Sequence, residues 1–556
     1  MGSPDTAVVA HISGIHTGRR NRAALGNVRL RDHQTNGVIL IPTPSRDPND
    51  PLRWNQAYKY YIATVVCLGM LVCNFLAAGP TVAIEATATD FFPNTDVNYS
   101  VSRVAYFFTS TSLAQGLSNF VWVPLANRFG RRPVYIMSYV IFLAAALWLI
   151  FEKHFIGFLI GRILLGLGSG AAEALAPMTI ADIFFLHERG TVMALYTSFL
   201  SIGVAFGVLI DGLVLIDHNW PVIYQIASAL VGFVFVLVIF TFPETAFSRD
   251  DEPLSETHDL GEQDTKIYTV ISSAPPPAKR SYLQSMKLFN KILTEESLIK
   301  MFFRPLGLIL LPSVLWAALV QSVTIGFVVA VTSNVAVAYS DAYGFVEWQV
   351  GLAFISAIVG SLVGIPAGGQ LGDLVADWFT RRNGGMREPE MRLPAITLSL
   401  ITTPLALVLY GVGIQKRLHW ICPTIGLGLL NFSITQAANI CLVYVIDSYR
   451  PIAGEITLTV LGFKCETIHP SLRLTVQYVT YSGFAALFGF FLSFYTNPWV
   501  NEAGYMNAFG TMAAISAAVL LGWIPLYFWG SPLRHRTWNW KLISYMHWMS
   551  DREVGE

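Results

Sequence analysis

Charge is scarce in this chain of 556 residues: 13% of positions are Asp, Glu, Lys or Arg, against 53% hydrophobic. A soluble domain carries roughly 25% charged residues, so a water-facing globular surface is excluded and the chain reads as an integral membrane protein. Cysteine is sparse too. The five, at positions 67, 73, 422, 441 and 465, fall mainly in apolar segments without metal-ligand spacing and read as buried, inert thiols. The sequence has no Ser/His/Asp set, no metal cluster and no phosphate-cradling Gly loop of the Walker type, which argues against an enzyme and against ATP as an energy source. Neither a metal nor a cofactor is expected. With Lys+Arg and Asp+Glu balanced at 36 each, no nucleic-acid partner is expected either.

What is abundant is uninterrupted apolar sequence. Runs of about 20 apolar residues, the length that crosses a bilayer, predict helices over Tyr58–Ile84, Ala105–Pro124, Val134–Phe151, Phe155–Phe185, Val192–Ile216 and Pro221–Phe242. A second set is predicted over Leu306–Val337, Val350–Leu371, Leu393–Val412, Ile421–Val445, Thr457–Tyr495 and Ala508–Trp529. The expected fold is an all-α membrane protein: twelve transmembrane helices in two pseudo-symmetric six-helix bundles, at 57–243 and 305–530. Topology follows from where the positive residues lie. Arg128, Arg131, Arg132, Arg189, Arg381, Arg382, Arg387, Arg392 and Arg450, with Arg534, Arg536 and Lys541, gather on one side, while Lys153, Lys416 and Arg417 are exceptions on the other. The basic side, with both termini, is expected to be cytoplasmic.

Residues 1–56 are polar and rich in Gly, Pro and Asn, the composition of a disordered cytoplasmic tail. They lack a charged–apolar–small leader pattern, so the first span is expected to act as the targeting signal. The linker, 244–304, holds an acidic stretch (Asp250–Asp264), a Pro run (Pro275–Pro277) and the segment Tyr282–Met301. There Leu283, Met286, Phe289 and Leu293 stand at helical spacing, which suits either a helix lying on the membrane face or a plain helical linker. Residues 531–556 read as a second cytoplasmic tail. Asn98-Tyr99-Ser100 is an N-glycosylation sequon on a loop expected to be external.

One basic pattern occurs twice, as VPLANRFGRR at Val123–Arg132 and GQLGDLVADWFTRR at Gly369–Arg382, each after a long apolar span. A duplicated bundle leaves this trace, with a tight basic loop joining two spans in each copy. It points to a transporter of two related halves. Further segments are SRDPNDPLRW (Ser45–Trp54), PLANRFGRRPVY (Pro124–Tyr135), GRILLGLGSG (Gly161–Gly170) and IADIFFLHERG (Ile180–Gly190). With PET (Pro243–Thr245), RRNGGMREPEMRL (Arg381–Leu393) and DSYRPIAGE (Asp447–Glu455), they resemble the major facilitator superfamily, specifically its fungal drug:proton-antiporter-like branch. The resemblance implies a plasma-membrane secondary transporter, driven by the proton gradient, that exports small organic molecules such as drugs or secondary metabolites. It also implies a monomer embedded in the lipid bilayer.

The chain departs from the family's loop motif at Val123, where the motif has Gly, and at Asn127, where it has Asp. A carboxylate held to lock one conformation is therefore missing, with Asp182 and Glu188 as candidate replacements; the second copy keeps an acid at Asp373. The fifth-helix antiporter motif keeps Gly203, Gly207 and Gly212 but has Val208 at its Pro position.

Charges inside a bilayer are costly unless they face a polar interior or a partner. Arg162 and Glu173 are eleven residues apart on the fourth span, about three turns, and so share a face. Glu173 is expected near midplane as a proton- or cation-binding group, and Arg162, at the family's Arg position, as its coupling or stabilising partner. A structural ion pair is the competing reading. Glu85 and Asp211 are weaker candidates near the outer ends of their spans, where water could reach them. Asn74, Gln115, Asn119, Gln321, Asn334, Asn431, Gln436 and Asn439 are candidates to line a cavity, though some must only pair helices. Asn127, Arg128, Gly130, Arg131 and Arg132, with Asp373, Arg381, Arg382 and Glu388, are the expected cytoplasmic gate; topology alone would also explain the arginines.

Cys465–Gly483 interrupts the eleventh span with Glu466, His469, Pro470 and Arg473, costly groups at midplane. Cys-Glu, Leu-Thr and Ser-Gly here can be encoded through GTGAG, CTGAC and TCAGG, which resemble splice signals. A retained intron and a re-entrant insertion are the two readings. Two functions compete with export: import of organic cations such as polyamines, favoured by Glu85, Glu173 and Asp211, and a non-transporting membrane sensor.

Overall fold

The computed structural model describes residues 28–29, 44–45, 47–95, 97–247, 278–288, 292–293, 297–298, 301–302, 308–383, 386–449, 496, 499–500, 502–538 and 540. Numbering only the membrane-length helices, the first half holds α1 (Gln56–Ala78), α2 (Val97–Phe129), α3 (Arg131–Phe151), α4 (Phe155–Ile183), α5 (Leu186–Val214) and α6 (Pro221–Thr241). The second half holds α7 (Pro312–Tyr343), α8 (Glu347–Arg382), α9 (Thr397–Gln415), α10 (Ile421–Ser448) and α11 (Tyr505–Trp538). Ten described helices are long and apolar enough to cross a membrane. The exception, α2, carries Thr109, Ser110, Thr111 and Ser112 through its middle. It stays helical because these hydroxyls bond carbonyls of the preceding turn, as Thr111 does to Phe107 at 2.8 Å and Ser112 to Phe108 at 3.3 Å, rather than competing for other structure.

Packing repeats between the halves. In the first, α4 lies against α2 and α3, and α3 against α6; in the second, α10 lies against α8 and α9, and α9 against α11. The halves meet where α5 packs on α8 and α10. Large apolar side chains such as Phe151, Phe240, Leu374 and Phe528 point outward, where lipid is their natural solvent. The face where α6 ends and α7 begins is called here the linker face, and its opposite the far face.

Several boundaries differ from expectation. Helix α2 runs beyond Ala105–Pro124 at both ends, since an internal proline is tolerated where neighbouring helices satisfy the freed carbonyl, and it stops only at Gly130, whose φ of +100° suits glycine alone. Helix α8 continues past Leu371 to Arg382. Asn98 falls in the first turn of α2 instead of in a loop. The linker helix beginning at Tyr282 ends at Ser285, closed by a Ser281/Gln284 capping box. Met286 then turns its Sδ to within 2.8 Å of Arg132 Nη1, so the expected helix to Met301 is broken by docking onto the first bundle.

The expected tail 1–56 is partly folded. Val28–Arg29 (β1) pairs antiparallel with Met386–Arg387 (β2). Asp50 accepts the N–H of Ser45 at 2.8 Å and of Leu52 at 3.0 Å, organising a turn ahead of α1. The predicted span Thr457–Tyr495, including Cys465–Gly483, lies outside the described residues. Its flanks lie on opposite faces: Tyr449 stacks on Trp538 at the linker face, while Gly504 meets Gln415 at the far face. A twelve-helix count needs that arrangement.

Candidate substrate and proton site

Helix α4 is glycine-rich, and the glycines determine where its functional side chains point. A Cβ on Gly166 would strike the Thr111 carbonyl, and one on Gly170 would strike Ser118 and the Gln115 carbonyl of α2. Small residues thus bring two backbones into contact. Glu173, three residues after Gly170, faces the same helix, is 0% exposed and accepts a hydrogen bond from Gln115 Nε2 at 3.0 Å. One turn along α2 from Gln115 lies Asn119, also 0% exposed, with neither its Nδ2 nor its Oδ1 bonded. The Tyr196 hydroxyl of α5 donates to the Glu173 carbonyl at 3.0 Å.

Arg162 lies on the Glu173 face of α4, about 16 Å away along the axis. Its guanidinium reaches elsewhere: Nη1 donates to the Leu76 carbonyl at 3.0 Å, Nη2 to Ala77 at 3.3 Å and Nε to Phe107 at 3.2 Å. It therefore supplies donors to the last carbonyls of α1, which have no partner within their own helix. The ring of Phe108 lies 5.0 Å from the guanidinium carbon, and the Tyr224 side chain is near it.

Glu85 and Asp211 part company. Glu85 is exposed. Asp211, expected to touch water, is 0% exposed, because α5 presses its far end against the turn after α1 and the start of α8. Neither Asp211 oxygen is hydrogen-bonded.

Most remaining amides pair helices. Asn74 bonds the Met70 carbonyl of its own helix at 2.9 Å. Gln321 bonds Ala438 at 3.1 Å, Gln436 bonds Ala395 at 2.6 Å, and Asn334 accepts from Tyr410 at 3.5 Å. Asn431 and Asn439 stand in the seam between the halves. Ser201 of α5 donates to Asn431, Ser361 of α8 donates to Ser201 at 2.9 Å, and Asn439 of α10 donates to Gly190 at 3.3 Å and Gly368 at 2.9 Å. Ser198 and Thr197 reach the carbonyls of Ser361 and Thr435, each at 3.4 Å.

On the linker face the expected gate divides. Arg131 pairs with Asp182 at 3.1 Å and donates to Asn127 at 3.3 Å, so one of the two candidate carboxylates stands beside position 127. Arg132 donates to the Ile239 carbonyl at 2.9 Å and to that of Phe242. Arg128 offers its carbonyl to the Leu293 N–H at 2.9 Å. Asp373 binds Arg392 and, at 3.4 Å, Arg387, and it lies across the seam against Gly190. Burial and the neighbouring Arg392 pull the Arg387 pKa down, with Asp447, Asp373 and Asp377 opposing. Arg381 is exposed, Arg382 stacks on Trp378 at 3.6 Å, and Glu388 is half-buried at the approach to α9.

Two further residues matter here that were not assigned as sites from sequence. Glu244, in the PET segment, accepts the N–H of Arg131 at 2.8 Å, of Arg132 at 3.2 Å and of Ala246 at 2.9 Å, capping α3 beside Gly130. Burial raises its pKa, partly offset by those N–H groups and Arg131. Glu390 pairs with Arg534 at 2.9 Å, with side-chain exposures of 3% and 0%. The signal for both was the repeat itself, which sets the end of each half's last helix beside the start of its third. Among the described residues no group of His, Cys, Asp and Glu has metal-holding geometry.

The family model of the Major Facilitator Superfamily matches residues 61–454. An uncharacterized MFS-type transporter of Schizosaccharomyces pombe is 25% identical, over 90% of this chain and 88% of that protein. A probable drug/proton antiporter of Saccharomyces cerevisiae is 25% identical over 89% and 90%. Among solved structures, a proton:xylose symporter superposes with a TM-score of 0.56 at 15% identity, covering 85% of this chain and 97% of that one. The human organic anion transporter gives 0.51 at 16%, over 83% and 99%; at such identities the likeness is one of fold. The matched family, the repeated packing and the buried polar face of α4 agree, and the chain belongs to the Major Facilitator Superfamily.

Proposed function

We propose that the chain is a proton-coupled exporter of small organic molecules, working by alternating access as a monomer in the plasma membrane with its linker face in the cytoplasm. The observation that carries this reading is Glu173: a carboxylate buried at mid-depth on α4, held by Gln115 and flanked by the unbonded amide of Asn119. An ionised carboxylate there needs a proton or a cationic group to offset its lost hydration, and the Asn119 amide offers a donor and an acceptor to a polar ligand. Rocking of the two halves about the α5/α8/α10 seam would expose the group to each side in turn. Arg162, anchoring the end of α1 to α4, would keep the first half rigid during that motion.

The test is flux in proteoliposomes under an imposed pH gradient, across a panel of hydrophobic metabolites and organic cations. Gradient-dependent flux should be lost in Glu173→Gln; mutant flux equal to wild type would remove Glu173 from the mechanism. Import of organic cations is the second reading, favoured by the exposed acid Glu85 towards the far face. Uptake of a radiolabelled polyamine that depends on Glu173 would replace export with it.

A further inference from the structure

We propose that Asp211 is a proton-operated latch of the far-side seam: protonated while α5 is closed against α1 and α8, and ionised when they part. The inference deepens the proton-coupled reading and rests on it.

Asp211 stands where three backbones converge on glycines. Its Oδ2 occupies the space a Cβ on Gly79, just after α1, would need, and Gly207 one turn back packs on the same Gly79. On its other side a Cβ on Gly212 would come within 2.9 Å of the Glu347 carbonyl at the head of α8, and within 3.4 Å of Gly351. These contacts close backbone around the side chain, and the carboxyl is fully buried with both oxygens unbonded.

The titratable groups on the elements packed here are Arg162 of α4, Tyr224 of α6 and Glu347 of α8; the stretch Gly79–Ala83 has none. Arg162 attracts Asp211 through space, but its guanidinium hydrogen-bonds the carbonyls of Leu76, Ala77 and Phe107, so it does not complete an ion pair. The Glu347 side chain is exposed, and that residue meets the site through its backbone carbonyl. A carboxylate that is buried and unbonded favours its neutral form. Closure therefore requires a proton from far-side water on one Asp211 oxygen, and opening lets that proton return to water. Closing the far side is thereby tied to proton uptake, separately from whatever Glu173 binds at mid-depth.

The experiment uses full-length protein in phosphatidylcholine vesicles. Spin labels replace Leu213 and Leu352, both exposed beside the seam, in a chain whose native cysteines are substituted, and their separation is followed against pH. Wild type should pass from a short to a longer separation as pH rises. Asp211→Asn should stay short throughout, while Glu173→Gln should respond like wild type. An Asp211→Asn chain with the wild-type response overturns the proposal.

Infrared spectra give a second reading. A protonated-carboxyl band at neutral pH should vanish in Asp211→Asn and shift in Asp211→Glu; a band unchanged in both also overturns it. If flux depends on Glu173 while the seam ignores Asp211, the latch fails and the transporter stands. If the seam response needs Asp211 but flux ignores the pH gradient, the transporter reading fails and the proton site remains.

Discussion

Each half of the molecule ties the end of its last helix to the start of its third, but by different chemistry. In the first half, Glu244 after α6 takes backbone N–H groups of α3, and the side chain of Arg132 returns to carbonyls of α6. In the second half, Arg534 of α11 and Glu390 ahead of α9 meet as a side-chain ion pair with almost no exposure. The first joint exchanges side chains for main chain, so no single side chain holds the whole bond set. The second concentrates the tie in one side-chain pair, and Glu390 is left buried without its cation if Arg534 is lost.

Breaking the second joint should therefore cost most. Arg534→Met leaves Glu390 buried without its partner and is expected to destabilise the chain by about 3–5 kcal/mol, read as lost resistance to denaturant in detergent. Arg534→Met with Glu390→Gln should recover most of that, and failure to recover would show that packing, not charge, sets the cost. Glu244→Gln keeps one acceptor oxygen and is expected to cost about 1–3 kcal/mol. Because burial holds the Glu244 pKa above its unfolded value, the folded chain binds that proton first. Wild type should thus gain stability relative to Glu244→Gln as pH falls through the raised value, and lose the gain as pH rises; a flat difference across that range would contradict the burial. Arg131→Gln, at a pair only 11–12% exposed, should cost about 1–2 kcal/mol. Arg381→Gln should fall within about 0.5 kcal/mol, and a larger loss would place Arg381 back in the gate.

The spans and their duplication were legible because length and apolarity are local properties. The eleven-residue spacing shows that Arg162 and Glu173 share one face of a helix, but not that the Arg162 guanidinium reaches carbonyls of α1 and α2. Asp211 was not legible: distance from a helix end measures depth in a bilayer, and says nothing of the Gly79 and Gly351 backbones that close over it. Nor could composition separate Asn119, whose amide is unbonded, from Gln436, whose amide is spent joining α10 to the approach of α9. Glu390 and Arg534 are 144 residues apart, and only the fold makes them neighbours. The linker helix failed at Met286 because spacing reports a face without reporting what docks on it.

The seam between the halves has one more property. Ser198 can give its hydroxyl proton to Ala194 at 2.8 Å instead of across to Ser361, and Thr197 has Ala194 at 3.0 Å. Ser361 has Ala357 at 2.9 Å, and Asn431 donates to Leu427 at 2.9 Å. Each of these four groups holds a fallback acceptor on its own helix, so their donors would stay satisfied if α5 slid from α8 and α10. Such a joint would behave like a partly lubricated bearing: most of its grip is released without exposing a donor, and Ser201 and Asn439 carry the remainder.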